Sequence, residues 1–278
     1  RNPRGLFHRH RLFLLPLRPR QLLAVRLWSD IIRAGLLIKD TLHKKFRPAS
    51  LPISTTLLQK LILQPTALLW QKNFAALRTL KKSHPSLKTL ISIGGWDYST
   101  YFSDIASTSA RREAFAQSCV DFILQHGFDG VDLDWEYPVS GGMGNNINRP
   151  QDKQNFTLLL QAIRDKLDAQ EKKDGRPYYL TIAGAAGESY LSKIEMQKVA
   201  ALVDYIFVMA YDLHGPWDTY ADLNAPLYQP TESSPQYKNS VSDAVSAYLK
   251  KGVSSKKLVL GMPFYGYLYQ GVSSQNHG

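Results

Sequence analysis

The sequence predicts an α/β fold, an incomplete (β/α)8 TIM barrel, on three observations. From residue 71 onward, short buried apolar runs take turns with longer segments of helical period, the pattern of a parallel sheet covered by helices. Polar and aromatic residues gather at the carboxy-terminal ends of several of those runs, where such barrels place their chemistry. One run, FDGVDLDWEYP at residues 128–138, carries three acids at strict two-residue spacing.

The elements follow in order. Residues 73–82 put Phe74, Leu77 and Leu80 at helical spacing, and 88–95 read as a buried strand ending in Gly94 and Gly95. Residues 107–126 form a helix with Phe115, Cys119, Phe122 and Ile123 on its inner stripe, ended by Gly127. The acidic strand, 128–136, comes next, and a Gly- and Asn-rich loop (140–148) leads to a helix with Phe156, Leu159, Leu160, Ile163 and Leu167 inward. Strand 178–185, helix 191–202 and strand 203–210 continue the alternation. After a loop rich in Pro and Tyr, helix 240–251 and strand 257–264 complete it. That makes five strands, three short of a closed barrel.

On a strand, the spacing sends Asp132, Asp134 and Glu136 to one face and Val131, Leu133 and Trp135 to the other. Neighbouring carboxylates then stand about 7 Å apart, twice the rise per residue. Three such groups cannot all ionise cheaply, so one keeps a proton near neutral pH, and a proton on the outermost, Glu136, suits a general acid. Asp129 has the wrong parity for this face and reads as structural, bonding backbone near the strand start.

Composition divides the chain. Residues 1–70 hold 13 Lys and Arg against two acids, Asp30 and Asp40, so the whole net charge of +11 belongs to this quarter. The segment also holds 18 Leu and none of the 15 Tyr, which sets a domain boundary at residue 70: an atypical basic segment 1–70, then 71–278. A balanced remainder argues against a nucleic-acid partner. No stretch reaches the roughly 20 apolar residues of a membrane span, and residues 12–17 are too short for a signal-peptide core. One cysteine, Cys119, excludes an internal disulfide.

With these residues in view, the chain resembles the chitinases of glycoside hydrolase family 18. Residues 128–138 are similar to the family signature DGxDxDWEYP, and Ser92, Gly94 and Gly95, followed by Trp96, resemble its SxGG motif. Met209-Ala210-Tyr211-Asp212 resembles its M-[TA]-Y-D motif, Gly261 to Gly266 its next strand, and Leu180 to Gly187 the intervening one. The resemblance covers about residues 74–278, and Gly215-Pro216-Trp217 is similar to bacterial members. It implies retaining hydrolysis of β-1,4-linked N-acetylglucosamine in which the substrate's own acetamido group is the nucleophile. Glu136 is then the acid and base, Asp134 orients the acetamido N–H, Asp132 is its proton-sharing partner, and Tyr211 donates to the acetamido oxygen. Trp96, Tyr137, Met209, Asp212, Trp217 and Tyr265 are expected to line the sugar groove. Ser92, Gly94, Gly95 and Asp129 are expected as structural residues near the site, Ser92 as a buried partner of Asp132. No metal and no cofactor are expected; the partner is chitin or its oligosaccharides, the protein a monomer, and the setting extracellular.

Plainer readings compete. An EF-hand-like Ca²⁺ loop needs Gly at its sixth position and Glu at its twelfth, which residues 128–138 lack. The Gly141–Gly144 run lacks the Lys-Ser/Thr of a phosphate-binding loop. His214 reads as an exposed loop residue. The family's first two strands have no counterpart in 1–70, and none of its eighth precedes Gly278; residues 1–70 therefore read as mistranslated or non-native. Tyr267 stands where bacterial relatives often have Arg. An inactive fragment and a chitinase-like lectin are the alternatives, and lectin members typically lose the acid that Glu136 supplies.

Overall fold

The computed structural model describes residues 11–13, 22–23, 65–230 and 239–272, with side chains from Lys72 onward. Two short strands, β1 (Arg11–Phe13) and β2 (Leu22–Leu23), precede helix α1 (Pro65–Ser83) and strand β3 (Lys88–Gly94). Then come α2 (Phe102–Ala106), α3 (Ser109–His126), β4 (Gly130–Asp134), α4 (Asp152–Asp174) and β5 (Tyr179–Ala185). Helices α5 (Glu188–Ser192) and α6 (Met196–Leu202), strand β6 (Tyr205–Met209), helix α7 (Val241–Lys250) and strand β7 (Leu258–Pro263) complete the order. The strands lie in one sheet, β1-β7-β6-β5-β4-β3-β2, in which β2 to β7 are parallel and β1 runs antiparallel against β7.

The five strands and their covering helices fall where the alternation puts them, with differences of local cause. The helix expected at 107–126 is α3, which starts two residues later because Thr108 takes extended geometry and caps it by accepting from the Arg111 N–H. Gly127 ends it in the left-handed conformation. The helix expected at 191–202 divides into α5 and α6 at residues 193–195. Leu80 lies on the predicted stripe of α1 yet is 38% exposed; Phe74 supplies the buried contact, its ring edge-on to Phe122 and Phe128.

Within the first 70 residues, strands β1 and β2 lie where the sequence offers no signal for them. Their two and three residues are too short for a period-2 signal, and only pairing to the edges of β3 and β7 defines them. Leu22 and Leu23 lie parallel beside β3, whereas β1 runs opposite to the strand direction of a (β/α)8 barrel. Helix α1 spans the composition break at Trp70. The apolar run 31–38, whose periodicity fits a strand or a helix alike, lies outside the described residues.

β4 is buried on both faces. Its outward side sends Val131, Leu133 and Trp135 against α2, α3 and α4, and Trp135 stacks on Phe102 with its edge to Phe156. Cys119 on α3 is part of that core, and burial pushes its thiol well up. A thiol reagent should therefore modify native chain only through opening, at least about 100-fold more slowly than in denaturant. The measurement is absorbance of the released chromophore; equal rates would place Cys119 outside a stable core.

Candidate active site

Register assembles the acidic centre. Ser92 of β3, Asp132 of β4 and Thr181 of β5 are direct neighbours across three parallel strands, so their side chains share one face. Ser92 Oγ donates to Asp132 Oδ2 at 2.7 Å, and Thr181 Oγ1 donates to Oδ1 at 2.7 Å. Asp132 is thus held between two hydroxyls. Asp134 and Glu136 follow on the same parity and are 0% and 1% exposed.

The backbone of the acid is fixed from two sides. Ser99, fully buried in the turn after β3, accepts the Glu136 N–H on its hydroxyl at 2.8 Å. The same hydroxyl faces the Gly95 carbonyl at 2.8 Å and the Asp134 carbonyl at 3.3 Å. From the other side, Asn146 Nδ2 donates to the Glu136 carbonyl at 2.7 Å. The glycine-rich loop makes that approach possible, since a Cβ on Gly142 would stand 2.0 Å from the same carbonyl. Gly94 does the equivalent on β3, and Gly95 N–H donates to the Asp134 carbonyl at 2.7 Å.

Met209 and Tyr211, at the end of β6, are buried with Ala183, and Tyr137 and Tyr265 pack against them. The rings of Tyr211 and Tyr265 meet edge to face at 6.3 Å. Asp212 follows in a left-handed conformation, φ 54°. Its Oδ1 accepts from Tyr265 Oη at 2.7 Å and Tyr267 Oη at 2.5 Å. Trp96 and Trp217 are 37% and 56% exposed, with Trp217 edge-on to Tyr267 at 5.8 Å. Flat, accessible rings of this kind stack on sugar faces.

Not every predicted residue joins this group. Asp129 is structural, but it sits at the amino-terminal end of β4, the opposite end from Glu136. There it accepts the Thr89 N–H at 2.8 Å and pairs with Lys81 at 2.6 Å and Arg176 at 3.2 Å. His214 is corrected from exposed to buried, at 1%. Its Nδ1 lies 3.3 Å from Tyr220 Oη and 3.5 Å from Asp218, and its Nε2 lies 3.8 Å from Asp222; these polar neighbours draw it inward.

The sequence reading missed Ser99, Thr181, Asn224 and Tyr190. Thr181 had a usable signal, its parity within β5; Ser99 and Asn224 are loop residues with none. Tyr190 on α5 is buried with its ring 5.8 Å from that of Tyr137. Burial pushes its hydroxyl well up, and the charges of Asp134 and Glu136 add to the effect. Among the described residues no group of three or more His, Cys, Asp or Glu could hold a metal ion, and no helix is long and apolar enough to cross a membrane.

Residues 39–278 match the model of glycosyl hydrolases family 18. The chain belongs to that family. The match begins upstream of the composition break at Trp70. Chitinase A1 of Niallia circulans, also in sequence a relative, is 49% identical over 211 residues, covering 74% of this chain and 30% of its own length. Among solved structures, chitinase ChiA74 from Bacillus thuringiensis superposes with a TM-score of 0.65 at 44% identity, over 68% of this chain and 30% of that one. The Group IV chitinase of Ostrinia furnacalis in complex with allosamidin gives 0.62 at 34% identity, over 71% and 52%. The chain spans less than half the length of the first curated relatives it matches. The family 18 assignment agrees with the α/β architecture, whose sheet is open among the described residues.

Proposed function

We propose that this chain carries the hydrolytic centre of a chitinase, cleaving β-1,4-linked N-acetylglucosamine with retained configuration. The observation that carries the reading is the buried series Asp132 and Asp134 on one face of β4 and Glu136 just past its end, with Asp132 clasped by Ser92 and Thr181. Glu136 gives its proton to the glycosidic oxygen. The substrate's acetamido carbonyl attacks the anomeric carbon, forming a cyclic oxazolinium as the bond to the leaving sugar breaks. Asp134 orients the acetamido N–H, and Tyr211 donates to its oxygen. Water then opens the ring while Glu136 takes the proton back. Trp96 and Trp217 supply stacking surface, with Tyr137, Met209, Asp212 and Tyr265 lining the groove. The relatives named above, chitinases by name, support this choice of substrate.

In this reading the partner is the polymer or its oligosaccharides, met by a monomer outside the cell; chitin is too large to enter one. The domain division at residue 70 belongs to the same proposal, with 71–278 as catalytic barrel. Chromogenic chitobioside and chitotrioside test it: chromophore release with the β-anomer formed first is the expected result. Oligosaccharide binding without release would make the chain a lectin, and neither would make it inactive.

A further inference from the structure

We propose that Asn224 is a positioning residue of this site, aiming the Tyr211 hydroxyl by clamping the ends of β6 and β7 together. The inference rests on the proposed hydrolytic function. Asn224 lies in the loop after β6, twelve positions beyond Asp212, yet its side chain touches both strand ends. Oδ1 accepts the Asp212 N–H at 2.8 Å, and Nδ2 donates to the Tyr265 carbonyl at 3.2 Å. Its own carbonyl accepts the Leu213 N–H at 3.0 Å. The Asp212 carboxylate closes the circuit by accepting the Tyr265 hydroxyl.

Chemistry explains why an amide stands there. The circuit needs one acceptor and one donor on a short side chain, and among side chains of that length a neutral amide offers both. A carboxylate would face the Tyr265 carbonyl with no proton to share. The clamp also holds Asp212 in its left-handed conformation, which a non-glycine residue adopts at a cost that its surroundings must offset. Since Tyr211 precedes Asp212 directly, that conformation sets where the Tyr211 ring points. Tyr265 packs against the ring from the other strand, so one amide fixes both aromatic neighbours.

A mere loop staple would predict a less stable chain with independent kinetic losses. A positioning role predicts coupling to Tyr211. In the full 278-residue chain, kcat and KM on chitotrioside are measured for Asn224→Ala, Tyr211→Phe and the double variant. Asn224→Ala should lower kcat about 10-fold with KM within about threefold, and the double variant should fall within about twofold of Tyr211→Phe. Multiplying losses, or a change in KM alone, overturn the inference. Should Asn224→Ala fail to fold, Asn224→Asp decides. Protonated, that carboxyl both donates and accepts, so its kcat relative to the parent chain should be near unity at about pH 4 and fall by about pH 7. A flat ratio overturns the inference. Binding of chitobiose thiazoline, which mimics the cyclic intermediate and needs no turnover, separates the two readings. A parent chain inert in both assays sinks the hydrolytic function itself, whereas an active parent with uncoupled variants sinks only the role of Asn224.

Discussion

Glu136→Gln should lower hydrolysis of chitooligosaccharides by at least about 10³-fold while leaving their binding within about threefold. Removing a general acid typically costs 10²–10⁴ in rate. In the proposed reaction the same group also returns as base, so both halves would lose it. The substitution keeps the shape of the side chain. The Glu136 N–H stays on Ser99 and its carbonyl on Asn146, since both contacts are made by the main chain. Trp96 and Trp217 are untouched, so the stacking proposed for them should persist. Product release gives the rate and calorimetric titration the affinity. Near-normal turnover would take the acid role away from Glu136.

Gly94→Ala should destabilise the fold by about 3 kcal/mol, from backbone strain and overpacking that each run to about 1–3 kcal/mol. At φ 110° an L side chain is strained, and the new Cβ would stand 2.1 Å from the Asp134 carbonyl oxygen and 2.7 Å from the Phe102 ring. Phe102 is itself wedged against Trp135, so relief comes only by moving β3 away from β4. That motion breaks the bond from Gly95 N–H to the Asp134 carbonyl and shifts the acids, so activity should fall with stability. Gly144, where an added Cβ meets nothing within 4 Å, is the control, with an expected change below about 0.5 kcal/mol. Urea unfolding midpoints compare the two; equal midpoints would contradict the close approach at Gly94.

The elements that sequence could read are those whose burial follows a period. β3 to β7 announce themselves as apolar runs, and Asp132 and Asp134 share a face because side chains alternate along a strand. What stayed hidden depends on partners distant in the chain. β1 and β2 are defined by pairing, not by composition. His214 is buried because Asp218, Tyr220 and Asp222 fold around it, a polar burial that hydropathy does not register. Ser99 and Asn224 act through single hydrogen bonds to main-chain atoms of other elements, and a loop Ser or Asn offers no pattern by which to choose it.

Ser99 has a consequence for how the site meets a sugar. Its one hydroxyl joins the turn after β3 to the main chain on both sides of Trp135, so the ends of β3 and β4 behave as one stiff body. The place of the Glu136 main chain is then set before any ligand arrives. Ordering that would otherwise oppose binding has been completed during folding. In the proposed reaction the main chain that carries the proton donor neither recoils nor searches, which leaves the sugar as the partner that bends.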